Sequence, residues 1–94
     1  MTERNKIMEQ TIITLYTRKS CPLCDKAKDT LLELKNEWNF NLEEIDIESS
    51  DELTEQYGLM IPVVYIDGVE AGFGVINKFD ISNRLQEKKA NLNS

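Results

Sequence analysis

The only two cysteines of this 94-residue chain stand three positions apart, in Ser20-Cys21-Pro22-Leu23-Cys24-Asp25. They fall between a stretch rich in β-branched and aromatic residues, 11–17, and a stretch with helical periodicity, 25–37. That spacing places the thiols where a strand passes into a helix N-terminus. Backbone N–H groups lack partners there and the helix dipole favours an anion, so a thiolate is stabilised. Because the thiolate is the nucleophile of disulfide exchange, a Cys-X-X-Cys pair in a βαβ setting reads as a dithiol–disulfide redox site. Cys21 is expected at the mouth of the helix, exposed, just after Arg18 and Lys19. Dipole and cations should bring its pKa below the roughly 8.5 of a free cysteine. Asp25 opposes them, but as a solvated carboxylate it is screened. Cys24, about one turn further in, is expected to be more buried and to act as the resolving thiol. Pro22 stiffens the loop between them.

Three other uses of the pair stay open at this point. Neighbouring cysteines can be buried packing residues. They can be half of a metal site, but a structural zinc asks for four Cys or His ligands. The chain has no histidine and no further cysteine, so such a site would need a dimer or an outside thiol. They can also form an oxidation sensor that turns nothing over. The lack of histidine removes the commonest base, which thiolate chemistry does not require.

The elements that must hold the pair follow from periodicity and turn chemistry. Residues 11–17, Thr-Ile-Ile-Thr-Leu-Tyr-Thr, predict a buried strand. Pro22 suits the first helical turn, where its missing N–H costs nothing. Ala27, Leu31, Leu34 and Trp38 then recur at helical spacing, with charges elsewhere on the wheel. Residues 40–47 predict a second strand. Ser49 or Ser50 can cap a short helix through Tyr57, with Leu53 and Tyr57 inward and Gly58 as its stop. Residues 61–66 predict a strand opened by Pro62, and Asp67-Gly68 is a hairpin signal into a strand over 69–73. Ile76, Phe79, Ile81 and Leu85 predict a last amphipathic helix to about residue 89, with Lys88 and Lys89 complementing its C-terminal dipole. Residues 1–10 and 90–94 are expected to fray. The order β-α-β-α-β-β-α, with a right-handed crossover between the first two strands, gives an α/β fold: a four-stranded mixed sheet with helices on both faces.

Ninety-four residues, 40% hydrophobic, suffice for one domain with a modest core. A net charge of −6 argues against nucleic acid and against an anionic membrane surface, since both ask for a basic footprint. No apolar run approaches the roughly 20 residues of a membrane span, and the N-terminal segment lacks the apolar core of a signal peptide. A cytoplasmic location is expected, and with it catalytic rather than permanent structural disulfide use.

With the Cys21-Pro22-Leu23-Cys24 motif, the strand Ile12-Ile13-Thr14-Leu15-Tyr16, the Ile61-Pro62-Val63 opening and the Asp67-Gly68 hairpin in place, the chain resembles a glutaredoxin-like member of the thioredoxin superfamily over roughly residues 11–85. A thioredoxin proper would carry Trp-Cys-Gly-Pro-Cys and a buried acid in the first strand; here Ser20 precedes the pair and Ile12-Ile13 fill the strand. The resemblance implies a thioredoxin-like fold over a single domain, Cys21 as nucleophile and Cys24 as resolving thiol. It implies a cis Ile61–Pro62 bond facing the pair, with the Ile61 N–H and C=O turned to an incoming peptide or glutathione. Arg18 stands where glutaredoxins often keep a basic residue for a glutathione carboxylate. The expected substrate-binding set is thus Arg18, Lys19, Pro22, Ile61 and Pro62, with no metal and no bound cofactor.

After the final strand the pattern departs from the usual glutaredoxin. Ala71-Gly72-Phe73-Gly74-Val75-Ile76-Asn77 replaces a Gly-Gly pair followed by acids, and the nearest acid is Asp80. This fits a glutaredoxin-like subgroup without the acidic glutathione clamp. The resemblance implies a monomer that reduces protein or glutathione mixed disulfides and is recharged by glutathione or a protein reductase. The segment 14–21 is also similar to arsenate-reductase-like regulators, which use a Cys-X-X-Cys switch while binding transcription machinery but lack the Ile-Pro-Val opening. A non-catalytic redox sensor or partner-binding adaptor is the competing reading.

Overall fold

β1 (Ile12–Thr17) alternates in the manner of a strand packed on both sides. In a computed structural model describing residues 11–93, with side chains through Lys88, Ile13 and Leu15 turn to one face and Tyr16 to the other. The remaining elements are α1 (Pro22–Leu34), β2 (Asn41–Asp46), a 3-10 turn (Ile47–Ser49), α2 (Asp51–Tyr57), β3 (Val63–Ile66), β4 (Val69–Phe73) and α3 (Lys78–Asn93). The sheet order is β2-β1-β3-β4. β1 runs parallel to β2, antiparallel to β3, and β3 is antiparallel to β4. The order and mixed sheet agree with the expectation. The frayed leader expected over 1–10 lies outside the described residues.

Register sorts the core into two layers, because side chains of directly opposed residues share a face. Ile13 lies opposite Ile66 and Leu15 opposite Val64. These four pack against Ala27, Leu31 and Leu34 of α1 and Ile81 and Leu85 of α3. On the other face Tyr16 lies opposite Val63 and Thr14 opposite Tyr65. That side packs Ile47, Leu53 and Tyr57 from the 3-10 turn and α2. Helices therefore cover both faces. The second layer is knit by aromatics: Tyr16 stacks on Tyr57 with centroids 4.3 Å apart, and Tyr65 meets Tyr16 edge-on at 5.6 Å. The Tyr57 hydroxyl donates to that of Tyr65 at 3.2 Å. This hydrogen bond, with burial, keeps the Tyr57 phenol protonated well above the usual tyrosine range.

Away from the cysteines, one side chain ties three elements together. Asp67 and Gly68 both adopt positive φ, 50° and 83°, as a two-residue hairpin of the I′ type requires. Asp67 Oδ1 accepts from the Ile12 N–H at 2.9 Å, and Lys88 Nζ pairs with its Oδ2 while donating to Thr11 Oγ1 at 2.7 Å. Burial lowers the Lys88 pKa.

Several expectations need correction. α3 continues through Asn93, so residues 90–93 are helical rather than frayed. Lys88 then lies over a turn from the helix end and serves Asp67 rather than the dipole. Phe79 is 77% exposed. Ile81 and Leu85 hold the inward stripe, and a residue two positions from Ile81 points about 200° around the helix from it. Gly58 is right-handed, with φ −55°, so it does not end α2 by a left-handed turn. It is needed for close approach: a Cβ there would sit 2.5 Å from the Thr54 carbonyl oxygen.

Leu31 and Leu32 are neighbours in sequence with opposite surroundings, 0% and 45% exposed. Leu31→Ala is expected to cost about 2–5 kcal/mol, against about 0.5 kcal/mol or less for Leu32→Ala. Urea denaturation checks this as a shift in midpoint at constant slope.

Candidate functional site

The loop from β1 to α1 is short, and its conformation aims the first cysteine. Ser20 takes a left-handed φ of 57°, turning the chain so that Cys21 becomes the N-cap of α1 with extended φ and ψ (−120°, 101°). Pro22 follows at the first helical position, where its fixed φ suits the helix. Cys21 Sγ accepts from the Cys24 N–H at 3.2 Å. It fills the place a serine or aspartate oxygen normally takes at a cap. The two sulfurs form a disulfide across a Cα–Cα distance of 5.1 Å. Cys21 is half-buried, whereas Cys24 is 2% exposed and packed in the interior. The asymmetry expected from the spacing is present, although Cys21 is less open than expected.

Arg18 and Lys19 are exposed just before the cap, and among the described residues neither makes an ion pair. Asp25 is exposed in the first turn of α1. These three join Thr17, Ser20, Glu44 and Asp46 around an open cleft of about 350 Å³. Glu44 pairs with Lys28 of α1 at 3.2 Å, and Asp46 Oδ1 accepts from the Glu48 N–H at 2.8 Å. Thr17, Ser20, Glu44 and Asp46 were not among the site residues expected from the sequence. The signal was present, since parallel strands joined by a crossover end on the same side of the sheet. Thr17 is thus opposite Asp46.

On the other side of β1, the Ile61–Pro62 peptide bond is cis, as the resemblance implies. Tyr16 pairs with Val63, which sets Pro62 level with Thr17, at the cysteine end of the sheet. Pro62 is buried and Ile61 partly so. The Pro62 carbonyl accepts from Gly74 N–H at 2.8 Å, and the Met60 carbonyl from the same group at 3.2 Å. One expectation fails: the Ile61 N–H is not turned to a substrate. It donates to the Tyr57 carbonyl at 3.1 Å, beside a 2.8 Å bond from Met60 N–H to the same oxygen. The last carbonyls of a helix lack partners, and the chain leaving α2 supplies them. The Ile61 carbonyl makes no hydrogen bond among the described residues.

The burial difference sets an order of reactivity. After reduction, iodoacetamide is expected to modify Cys21 at least about tenfold faster than Cys24. Peptide mapping by mass spectrometry during a time course checks this.

The glutaredoxin-like domain (DUF836) family model matches residues 12–91. A probable thioredoxin of Methanothermobacter thermautotrophicus is 29% identical over 79 residues, covering 81% of this chain and 93% of that protein. Among solved structures, the X. campestris structural genomics target XcR50 superposes with a TM-score of 0.66 at 28% identity, over 80% of this chain and 96% of the other. Chloroplastic thioredoxin z superposes with a TM-score of 0.70, over 90% and 83%, at 15% identity, a likeness of fold alone. A thioredoxin-like fold with a vicinal cysteine pair at a helix N-terminus supports oxidoreductase-type chemistry in general. By the family match, the mixed sheet and the position of its cysteines, this chain belongs to the glutaredoxin-like domain (DUF836) family of the thioredoxin superfamily.

Proposed function

We propose that this protein is a thiol–disulfide oxidoreductase that reduces protein or glutathione mixed disulfides through Cys21 and Cys24. The observation that carries this reading is the placement of Cys21 Sγ as the helix cap, bonded to a cysteine held in the interior. In the reduced protein the Cys24 N–H and the helix N-terminus stand ready to stabilise negative charge on that sulfur. The Cys21 thiolate attacks one sulfur of the substrate disulfide. The substrate S–S bond breaks, a mixed disulfide to Cys21 forms, and the other substrate sulfur leaves as a thiolate that takes up a proton. Cys24 then loses its proton to solvent and attacks Cys21 Sγ, and the second substrate sulfur leaves as a thiol. Two electrons pass to the substrate, and the protein is left with the Cys21–Cys24 bond.

A thiol reductant must reopen that bond: two glutathione molecules, or a dithiol protein reductase. No histidine or metal enters the sequence of steps. Arg18 and Lys19 supply positive charge beside the attacking sulfur. Pro22, Ile61 and Pro62 frame its approach, with the Ile61 carbonyl as the backbone group still open to a substrate N–H. A monomer working in a reducing compartment such as the cytoplasm fits this cycle.

One observation favours the non-catalytic alternative. Because the Ile61 N–H is engaged internally, a substrate backbone would be held by one hydrogen bond at this residue instead of two. A sensor or adaptor asks less of that contact.

Multiple-turnover reduction of a glutathionylated peptide separates the readings, run once with glutathione and glutathione reductase and once with a thioredoxin reductase system. Turnover is expected in at least one regime. Cys21→Ser should lower it by about 100-fold or more, as loss of a nucleophile does. Cys24→Ser should retain part of it where glutathione can resolve the intermediate. Wild-type rates equal to those of Cys21→Ser in both regimes would leave the sensor reading standing.

A further inference from the structure

Cys24 must shed a proton before it can attack Cys21 Sγ, and its surroundings resist that. The residue is 2% exposed, and burial holds a thiol in its neutral form. The chain has no histidine, and the β1 side chains packed against α1, Ile13 and Leu15, cannot take a proton. Thr17, two positions on, shares their face by alternation. It is buried, and its hydroxyl makes one long contact, donating to the Arg18 carbonyl at 3.5 Å. The neighbouring strand does carry carboxylates. Register places Glu44 opposite Leu15 and Asp46 opposite Thr17, so both acids lie on the face that α1 covers.

One ion pair fixes where Cys24 falls along β2. Lys28 of α1 meets Glu44 at 3.2 Å. Cys24 precedes Lys28 by one turn, on the same side of the helix and about 6 Å nearer its N-terminus. Asp46 follows Glu44 by two residues, on the same side of the strand and about 6.6 Å nearer its C-terminus. α1 carries the chain from the end of β1 back to the start of its parallel neighbour β2, so helix and strands run in opposite directions. The two steps match, and Cys24 is level with Asp46 as Lys28 is level with Glu44. A cysteine side chain is shorter than that of lysine, and the open cleft beside Asp46 has room for water to span the difference. The carboxylate is anchored there. Its Oδ1 accepts from the Glu48 N–H at 2.8 Å, and Oδ2 has no hydrogen bond or ion pair among the described residues. The other charges around it are Arg18 and Lys19 on the loop, Asp25 on α1, the Lys28–Glu44 pair and the exposed Glu48. Asp25 is exposed and points about 100° around α1 from Cys24, and Glu44 is taken by Lys28.

We infer that Asp46 Oδ2, through a water in the cleft, accepts the proton of Cys24 as the mixed disulfide is resolved. The inference rests on the oxidoreductase reading and deepens its second step. The Cys24 S–H proton passes to the water while a water proton passes to Oδ2, and the sulfur electron pair forms the bond to Cys21 Sγ. The bond from Cys21 to the substrate sulfur breaks, and that sulfur leaves with its electron pair and takes up a proton from solvent. Asp46 then returns its proton to solvent across the cleft.

The test mixes the full reduced chain with an excess of a peptide disulfide, quenches with acid over a time course and reads intact mass. Growth of the mixed disulfide on Cys21 reports attack, and its conversion to the internal disulfide reports resolution. Asp46→Asn and Asp46→Ser both keep an oxygen for the Glu48 N–H, so the 3-10 turn should survive. At about pH 7 each should slow resolution by about tenfold or more and leave attack within about twofold. A structural loss would be alike at every pH, whereas loss of a proton acceptor would not. With the carboxylate taking the proton, wild-type resolution should change by about threefold or less between about pH 6 and about pH 8. Without it Cys24 must ionise first, so the variants should speed up by roughly tenfold per pH unit until they approach wild type. Glu43→Gln, exposed and on the opposite face of β2, should match wild type in both steps. Resolution unaffected by both Asp46 substitutions overturns the inference, as does a loss of the same size at every pH. If the wild type forms neither the mixed nor the internal disulfide, the oxidoreductase reading fails and takes the inference with it.

Discussion

β1 is bonded along both edges, to β2 in parallel and to β3 antiparallel, and buried on both faces by side chains that alternate along it. A central strand of this kind can neither slide nor tilt without breaking two ladders and unpacking two cores, since a one-residue slip would exchange its faces. Its C-terminal end is therefore a fixed point. The cysteine loop, the end of β2 and the Ile61–Pro62 bond are all placed by reference to it. The cap on α1 adds the last degree of control. Cys21 is held by the positive φ of Ser20 behind it, Pro22 ahead of it and the Cys24 N–H on its sulfur.

The two cores contribute differently to this arrangement. The face under α1 and α3 is aliphatic, built from Ile13, Leu15, Leu31, Leu34, Ile81 and Leu85. It fixes the axis of the helix that carries both cysteines. The opposite face is smaller and sets three tyrosines, Tyr16, Tyr57 and Tyr65, among aliphatic side chains. It holds α2 and, through the Tyr57 carbonyl, the chain leading to the cis bond. The same tether that positions Ile61 consumes its N–H. What remains around the bond is the Ile61 carbonyl, which makes no hydrogen bond among the described residues.

Much of this was legible in the sequence, for local reasons. The alternation of 12–17, the stripe of Ala27, Leu31 and Leu34, and Asp67-Gly68 each carry their own periodicity or turn chemistry, so element order and topology followed. The cysteine asymmetry was legible because helix geometry alone puts Cys24 a turn inside Cys21. Several of the misses turned on packing between elements rather than on local pattern. Phe79 is apolar and near the helical period, yet only the packing of Ile81 and Leu85 decides that it faces outward. Lys88 suited the dipole until Asp67, 21 residues away, provided a partner. The cleft between the ends of β1 and β2 depends on tertiary register, which no local pattern displays, whereas the Ile61 N–H is taken by the carbonyl of Tyr57, four residues earlier, as the chain leaves α2.

The central claim is that the helix cap makes Cys21 the attacking sulfur and that Cys24 acts only on the intermediate. Trapping that intermediate tests it most directly. Reduced Cys24→Ser and Cys21→Ser proteins are each mixed with an excess of a peptide disulfide, quenched with acid over a time course and analysed by intact mass and peptide mapping. The account predicts rapid accumulation of a one-to-one mixed disulfide on Cys21 in the first variant, and adduct formation slower by about tenfold or more on Cys24 in the second. Equal rates in the two variants, or a faster adduct on Cys24, would contradict it.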